Sequence, residues 1–196
     1  MFSVAYKNAG HGGLVLPWLF WLVAIPVIAY IVFGDAPEGL VLDRQALAQG
    51  EYWRLITGHW VHSDIEHAIW NVLAMALLVH LTARDAWWAF LGAFLLAMFS
   101  INVWFLAINS TLLFYCGLSG ILNAAFVIAL ESLWRQTGSR LVWLIGLAAV
   151  AKMLFELTLG YSLFTQTAWQ SVPQAHVIGF LSGLGMLGLR RLLVNR

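Results

Sequence analysis

Ser119 stands between two glycines in Gly117-Leu-Ser119-Gly120, and His176 stands in Ala175-His-Val-Ile-Gly179, each within a run of apolar residues. A serine hydroxyl becomes a competent nucleophile only when an adjacent base takes its proton. Neutral imidazole is the usual base, because its pKa lies near physiological pH. The glycines leave the hydroxyl accessible and let neighbouring helices come close. A serine early in a helix also lies near unpaired N–H groups and the positive end of the helix dipole, which favour a developing oxyanion. Each motif alone also fits plain packing. Small residues around serine are common in membrane helices, and a lone buried histidine is more often a structural hydrogen-bonder. Taken as a pair, they offer a nucleophile and its base.

A second polar group runs from His59-Trp-Val-His62 to His67-Ala-Ile-Trp-Asn71. His67 and Asn71 are four residues apart, so they project from one helical face and can donate to one oxygen. An oxyanion hole requires such donors, and each is worth about 3–4 kcal/mol in the transition state. Metal binding is the competing use of three histidines beside Asp64 and Glu66. It is disfavoured because no HExxH is present and the spacings put the histidines on different faces. Lys152 and Glu156, also four apart, are a pair of charges inside an apolar span. Ionisable groups in such places are functional suspects, but each has its neutralising partner one turn away, and they read as a structural pair. A hydrolase pairing Ser119 with Lys152 would need a neutral lysine, which Glu156 opposes.

The elements that position these groups are membrane spans. Hydrophobic residues make up 62% of the 196-residue chain and charged residues 10%, far from the roughly quarter-charged make-up of soluble domains. The 11 Trp and 5 Tyr suit two membrane–water interfaces. Crossing a bilayer takes about 20 apolar residues per helix, and six stretches approach that length: 14–33, 66–82, 87–107, 112–130, 141–159 and 174–194. The first reads as a retained helix rather than a signal peptide, being long and followed by five more. The whole chain, 1–196, reads as one membrane domain. Lys7, Arg84, Arg135, Arg140, Arg190, Arg191 and Arg196 fall on one side if the amino terminus is inside, so both termini are expected in the cytoplasm. The segment 34–65 is then a long external loop, and a loop of that length usually has a task. His67, Ser119 and His176 all come to the outer half of the bilayer. The lone cysteine, Cys116, excludes an intramolecular disulfide. A net charge of +1 with no basic cluster points away from nucleic acid.

These residues resemble the rhomboid family of intramembrane serine proteases. The likeness is carried by Trp53-Arg54, by His62, His67 and Asn71, by Gly117 to Gly120 around Ser119, and by Ala175-His176 with Gly179 and Gly183. It implies a six-helix all-α membrane fold and a Ser119–His176 dyad without a third acid. It also implies an oxyanion hole from His67, Asn71 and the Ser119 backbone N–H, in a cavity open to the outside. Gly117, Gly120, Gly179, His62, Trp53, Arg54 and Asn123 become site-supporting residues. No cofactor or metal is required. The partners implied are the lipid bilayer and a membrane-embedded helix of a protein substrate, in a bacterial cytoplasmic membrane with the site facing the periplasm. The short chain looks more like the rhombosortase branch, which implies processing of exported proteins bearing a carboxy-terminal Gly-Gly tail. General release of single-pass membrane proteins is the alternative, and a non-catalytic helix-binding relative is another. Such relatives usually lack the serine or the histidine. A small transporter is disfavoured because the polar residues cluster outside. Asn123 departs from the pattern: a tyrosine often packs there against the histidine, so Asn123 is a candidate to hydrogen-bond His176 instead.

Overall fold

The computed structural model describes residues 12–163 and 165–194. Six long helices dominate: α1 (Gly12–Phe33), α4 (Ile65–Thr82), α5 (Trp87–Val103, continued by a π-turn over Trp104–Ile108), α6 (Ser119–Thr137), α7 (Leu141–Leu159) and α8 (Pro173–Val194). Ile65–Thr82, Trp87–Ile108, Leu141–Leu159 and Pro173–Leu193 are long and apolar enough to cross a membrane, and Leu19–Phe33 is a shorter apolar helix. The protein is an integral membrane protein. Helix α6 carries Asn123, Glu131, Arg135 and Gln136 and falls short of that apolarity. It contacts α4, α5, α7 and α8, so protein rather than hydrocarbon surrounds much of its surface.

Five of the expected spans coincide with these helices to within a few residues, and the fourth does not. The stretch 112–118 is as apolar as a helix, yet α6 starts only at Ser119. Asn109 Oδ1 accepts the amide N–H groups of Thr111 and Leu112, at 3.0 and 2.7 Å, which turns the chain out of α5. Phe114–Tyr115 then form strand β2, antiparallel to β1 (Leu42–Asp43), with Leu42 opposite Tyr115. Gly117 sits at φ +105°, a conformation an L side chain rarely adopts. Ser119 is therefore the first residue of its helix and not a residue two turns down.

The loop between α1 and α4 is folded. Asp43 caps α2 (Arg44–Ala48) through the amides of Gln45 and Ala46, as short polar side chains do at helix starts. Arg54, at the start of α3 (Arg54–Thr57), is buried and binds Glu51 at 2.6 Å, Val41 O at 2.8 Å and Glu38 O. Trp53 donates to Gly39 O at 3.1 Å. Arg44 lies over the Phe105 ring and donates to Leu112 O at 3.1 Å and to Phe105 O and Asn109 O. This loop is thereby fastened to the end of α5.

The core lies where α5, α6 and α8 meet, around Phe90, Ile101, Phe105, Ile121 and Ile128. Helices α6 and α8 touch backbone to backbone. A Cβ on Gly179 would fall 1.8 Å from Gly120 O, and one on Gly183 would fall 2.6 Å from Ala124 O. Helix α7 is peripheral: it buries Val142, Met153 and Glu156, while Trp143, Leu144, Leu147, Leu154 and Phe155 face outward. At the end remote from Ser119, Ser132 donates to Asp85 at 2.7 Å and Arg190 pairs with Glu131 at 3.2 Å. Arg84 in the α4–α5 turn, Arg135, Arg140 and Arg191 lie at helix termini, and Lys7 and Arg196 lie outside the described residues.

Candidate active site

His176 lies in the first turn of α8 and Ser119 opens α6. The glycine seam lets the two helices approach closely enough for their starts to meet. Ser119 Oγ and His176 Nε2 are 3.0 Å apart, a hydrogen-bond length suited to proton transfer. The first amides of α6, Ser119 N–H among them, are donors that the helix itself cannot satisfy.

His67 and Asn71 reach this place from α4. A Cβ on Gly117 would lie 2.5 Å from His67 Nε2 and 3.6 Å from Asn71 Nδ2, so only a glycine lets the chain run past both groups on its way to Ser119. Asn71 Nδ2 is buried and has no hydrogen-bond partner among the described residues. An amide donor in that state strongly favours an incoming oxygen. His67 depends on its tautomer. Ser63 Oγ lies 2.6 Å from Asp64 Oδ2 and 3.1 Å from His67 Nδ1, and its one proton serves one acceptor at a time. When Ser63 donates to Nδ1, the ring proton sits on Nε2 and His67 is a donor toward Gly117; when Ser63 donates to Asp64, Nε2 is an acceptor.

Asp64 organises this corner. Its Oδ1 caps α4 by accepting from His67 N at 2.8 Å, and its Oδ2 accepts from Ala168 N at 2.7 Å. Burial works to raise its pKa, but the bonds from Ser63, His67 and Ala168 outweigh burial and hold the carboxyl below its ordinary value. The link to Ala168 pins the α7–α8 loop over the site, helped by Glu66, which accepts from Gln166 N at 3.3 Å. A cavity of about 80 Å³ lies beneath, lined by Ser119, His176, His67, Tyr115, Cys116 and Trp169 among others. It shares Ser162, Thr165 and Gln170 with a cleft of about 400 Å³ that Tyr161, Leu163 and Gln166 also line. Burial pushes the Cys116 thiol up to about 12, reinforced by the charge of Asp64, so Ser119 has no rival thiolate beside it.

The remaining sequence candidates take supporting places. His62 is buried with its ring edge-on to His67 at 5.0 Å between centroids. Burial first, and His67 second, lower its pKa to about 3, so it is a neutral wall. His59 bonds Asn102 in α5 at 3.0 Å, and burial holds its pKa at about 4. Trp53 and Arg54 stitch the loop between α1 and α4 and make no contact with the dyad among the bonds described. Asn123 does not bond His176: its Nδ2 donates to Ser119 O at 2.8 Å, bracing the first turn of α6 one turn below the hydroxyl. Lys152 Nζ lies 2.6 Å from Glu156 Oε1, an ion pair rather than a neutral base for Ser119.

One residue enters that spacing did not connect to the site. The resemblance implies a pair with no third acid, yet Glu156 Oε2, fully buried, lies 3.7 Å from His176 Nδ1. The last turn of α7 meets the first turn of α8 across the loop that joins them. The available signal was positional: Glu156 precedes a helix end, Gly160 at φ +76°, at the same face of the bundle as His176.

A family model described as Rhomboid domain matches residues 49–191. No curated protein matches the chain significantly.

Proposed function

This chain belongs to the rhomboid family, a family of intramembrane serine proteases, and on that premise we propose that it is an endopeptidase with Ser119 as nucleophile and His176 as base. The observation that carries the reading is the 3.0 Å contact between Ser119 Oγ and His176 Nε2. Beside it stands a buried Asn71 donor with no partner among the described residues. In the proposed reaction His176 Nε2 takes the hydroxyl proton as Oγ attacks the scissile carbonyl carbon. The carbonyl oxygen turns anionic against Asn71 Nδ2, the Ser119 N–H and, in its Nε2–H tautomer, His67. His176 then gives the proton to the leaving amine, and water releases the acyl group by the reverse sequence. Gly117, Gly120 and Gly179 supply the close approaches, Asn123 and His62 brace the pocket, and Trp53 and Arg54 hold the loop beside it.

In this proposal the chain is one domain of six spans, α1 and α6 included, with both termini cytoplasmic and the dyad in the outer half of the bilayer. Five arginines at the far ends of the helices support that orientation under the positive-inside rule. The substrate is a membrane-embedded helix weakened near its external end. A peptide bond in an intact helix is shielded by its own hydrogen bonds, and glycine lowers the unwinding barrier by about 1 kcal/mol per residue relative to alanine. A Gly-Gly tail of the rhombosortase type meets that need.

Labelling of detergent-solubilised protein with a fluorophosphonate, with Ser119→Ala as control, tests the enzyme. Labelling of the wild type alone is expected, and no labelling under conditions where the fold persists refutes the protease reading in favour of a helix-binding relative. Model substrates with Gly-Gly retained, replaced by Leu-Leu, or moved toward the cytoplasmic end test the branch by mass spectrometry of the cuts. Only the first should be cleaved efficiently. Equal cleavage of all three overturns the Gly-Gly reading and leaves general release of single-pass proteins.

A further inference from the structure

We infer that Glu156 is a positioning residue for His176, holding the imidazole with its proton on Nδ1 so that Nε2 faces Ser119 as the proton acceptor. The inference rests on the protease reading and adds to it a third member.

The two oxygens of Glu156 have different surroundings. Oε1 takes Lys152 Nζ at 2.6 Å, Leu163 N at 2.9 Å and Ser162 Oγ at 3.2 Å. These three donors fix the plane of the carboxylate. Oε2 is buried and accepts no hydrogen bond among the described residues, and it faces His176 Nδ1 at 3.7 Å. A buried carboxylate oxygen without a donor is expensive, and one here is aimed at the far nitrogen of the base. That separation exceeds a normal hydrogen bond. Such contacts are commonly long before substrate binds and tighten in the reacting complex.

A carboxylate opposite Nδ1 favours the tautomer with Nδ1–H, and then Nε2 carries the lone pair that Ser119 needs. When Nε2 takes the serine proton, the ring becomes a cation and Glu156 stabilises it in place. Glu156 receives no proton itself. Lys152 anchors Oε1 from the opposite side and keeps the carboxylate in position. The pairing of Lys152 with Glu156 is thus one half of an arrangement whose other half points at His176.

Nitrogen-15 NMR of histidine-labelled protein, with His176 assigned by its substitution, reads the tautomer directly, and kinetics on one cleavable substrate read its consequence. In the wild type, neutral His176 is expected as the Nδ1–H form. Glu156→Gln should lower kcat on the order of 10²–10⁴-fold, as removal of an orienting carboxylate does elsewhere, with KM changed less than about threefold. It should also shift the tautomer balance toward Nε2–H. Glu156→Asp should recover part of the kcat loss, and Lys152→Met should lose far less than Glu156→Gln. An Nε2–H form in the wild type overturns the inference whether or not any variant folds. So does a Glu156→Gln enzyme with wild-type kcat, or a Lys152→Met enzyme impaired as much as Glu156→Gln, which would reduce the pair to a structural tie. A wild type that neither labels nor cleaves sinks the protease reading alone, and the tautomer measurement still decides the contact.

Discussion

Helices α8 and α7 each bring one polar side chain to the mouth of the bundle, and they hold it differently. His176 sits on a helix whose backbone lies against that of α6, with Gly179 against Gly120 and Gly183 against Ala124. Glu156 sits on a helix with only Val142 and Met153 buried beside it. The seam fixes the distance between base and nucleophile through backbone contacts, which have no rotamers to explore. The outer helix sets the carboxylate through side-chain bonds on one oxygen, which can adjust. Rigidity is thus spent where the proton moves, and tolerance is left where the base is merely oriented.

The largest effects belong to the seam side. Ser119→Ala and His176→Ala should each reduce turnover by about 10⁵–10⁶-fold, and the double variant should be no slower than either single one, because the two groups act as a unit. Additive losses in a single-turnover assay would break the dyad assignment. Next comes the seam itself. Gly179→Leu places a Cβ where Gly120 O already lies and should lower thermal stability in detergent by about 3 kcal/mol or more, with loss of cleavage. Gly188→Ala, on the same helix with open space around it, should be nearly silent. Equal tolerance at both positions would show that close backbone approach is not what holds the dyad.

Smaller effects test the pocket. Asn71→Ala should lower kcat by about 10²–10³-fold with KM little changed, since an oxyanion exists only after attack. His67→Ala should cost less, because the Ser63 proton leaves Nε2 a donor only part of the time. A larger loss at His67 in steady-state kinetics would reverse their ranking. The smallest effect is at Asp64. Asp64→Ala removes a helix cap and should cost about 0.5–2 kcal/mol. The native carboxyl is held below its ordinary value, so its contribution is full above that value, roughly pH 4, and lost as pH falls through the native pKa. The gap in melting temperature between wild type and Asp64→Ala should therefore close in acid, and a constant gap would assign the loss to packing.

The helices were legible because a bilayer demands long apolar runs, and those runs are where α4, α5, α7 and α8 lie. The start of α6 was not, since Leu112 to Leu118 is apolar whether coiled or extended. What decides is an Asn109 turn, a two-residue ladder and one glycine at positive φ. Ser119, His176, His67 and Asn71 could be singled out because polar groups in hydrocarbon need a reason, and all four are brought to one corner of the structure. Glu156 was hidden by Lys152: a neutralising partner four residues away accounts for a charge locally and removes the motive to look across to another helix. Asn123 illustrates the opposite limit, for residue type gave no indication that its amide would turn back to Ser119 O.

Arg44 bears on the order in which the chain assembles. The carbonyls it serves belong to residues 61 to 68 positions further along, at the end of α5 and the turn beyond it. During synthesis the loop between α1 and α4 is made before α4 and α5, so the Arg44 guanidinium has none of those acceptors until the third long helix has emerged. Closing so distant a contact is slow compared with forming any helix. Until then the loop is held only by its own caps and by the Arg54 cluster, and β1 has no β2 to pair with. The platform beside Ser119 can therefore lock only after α5 and the turn beyond it have been made.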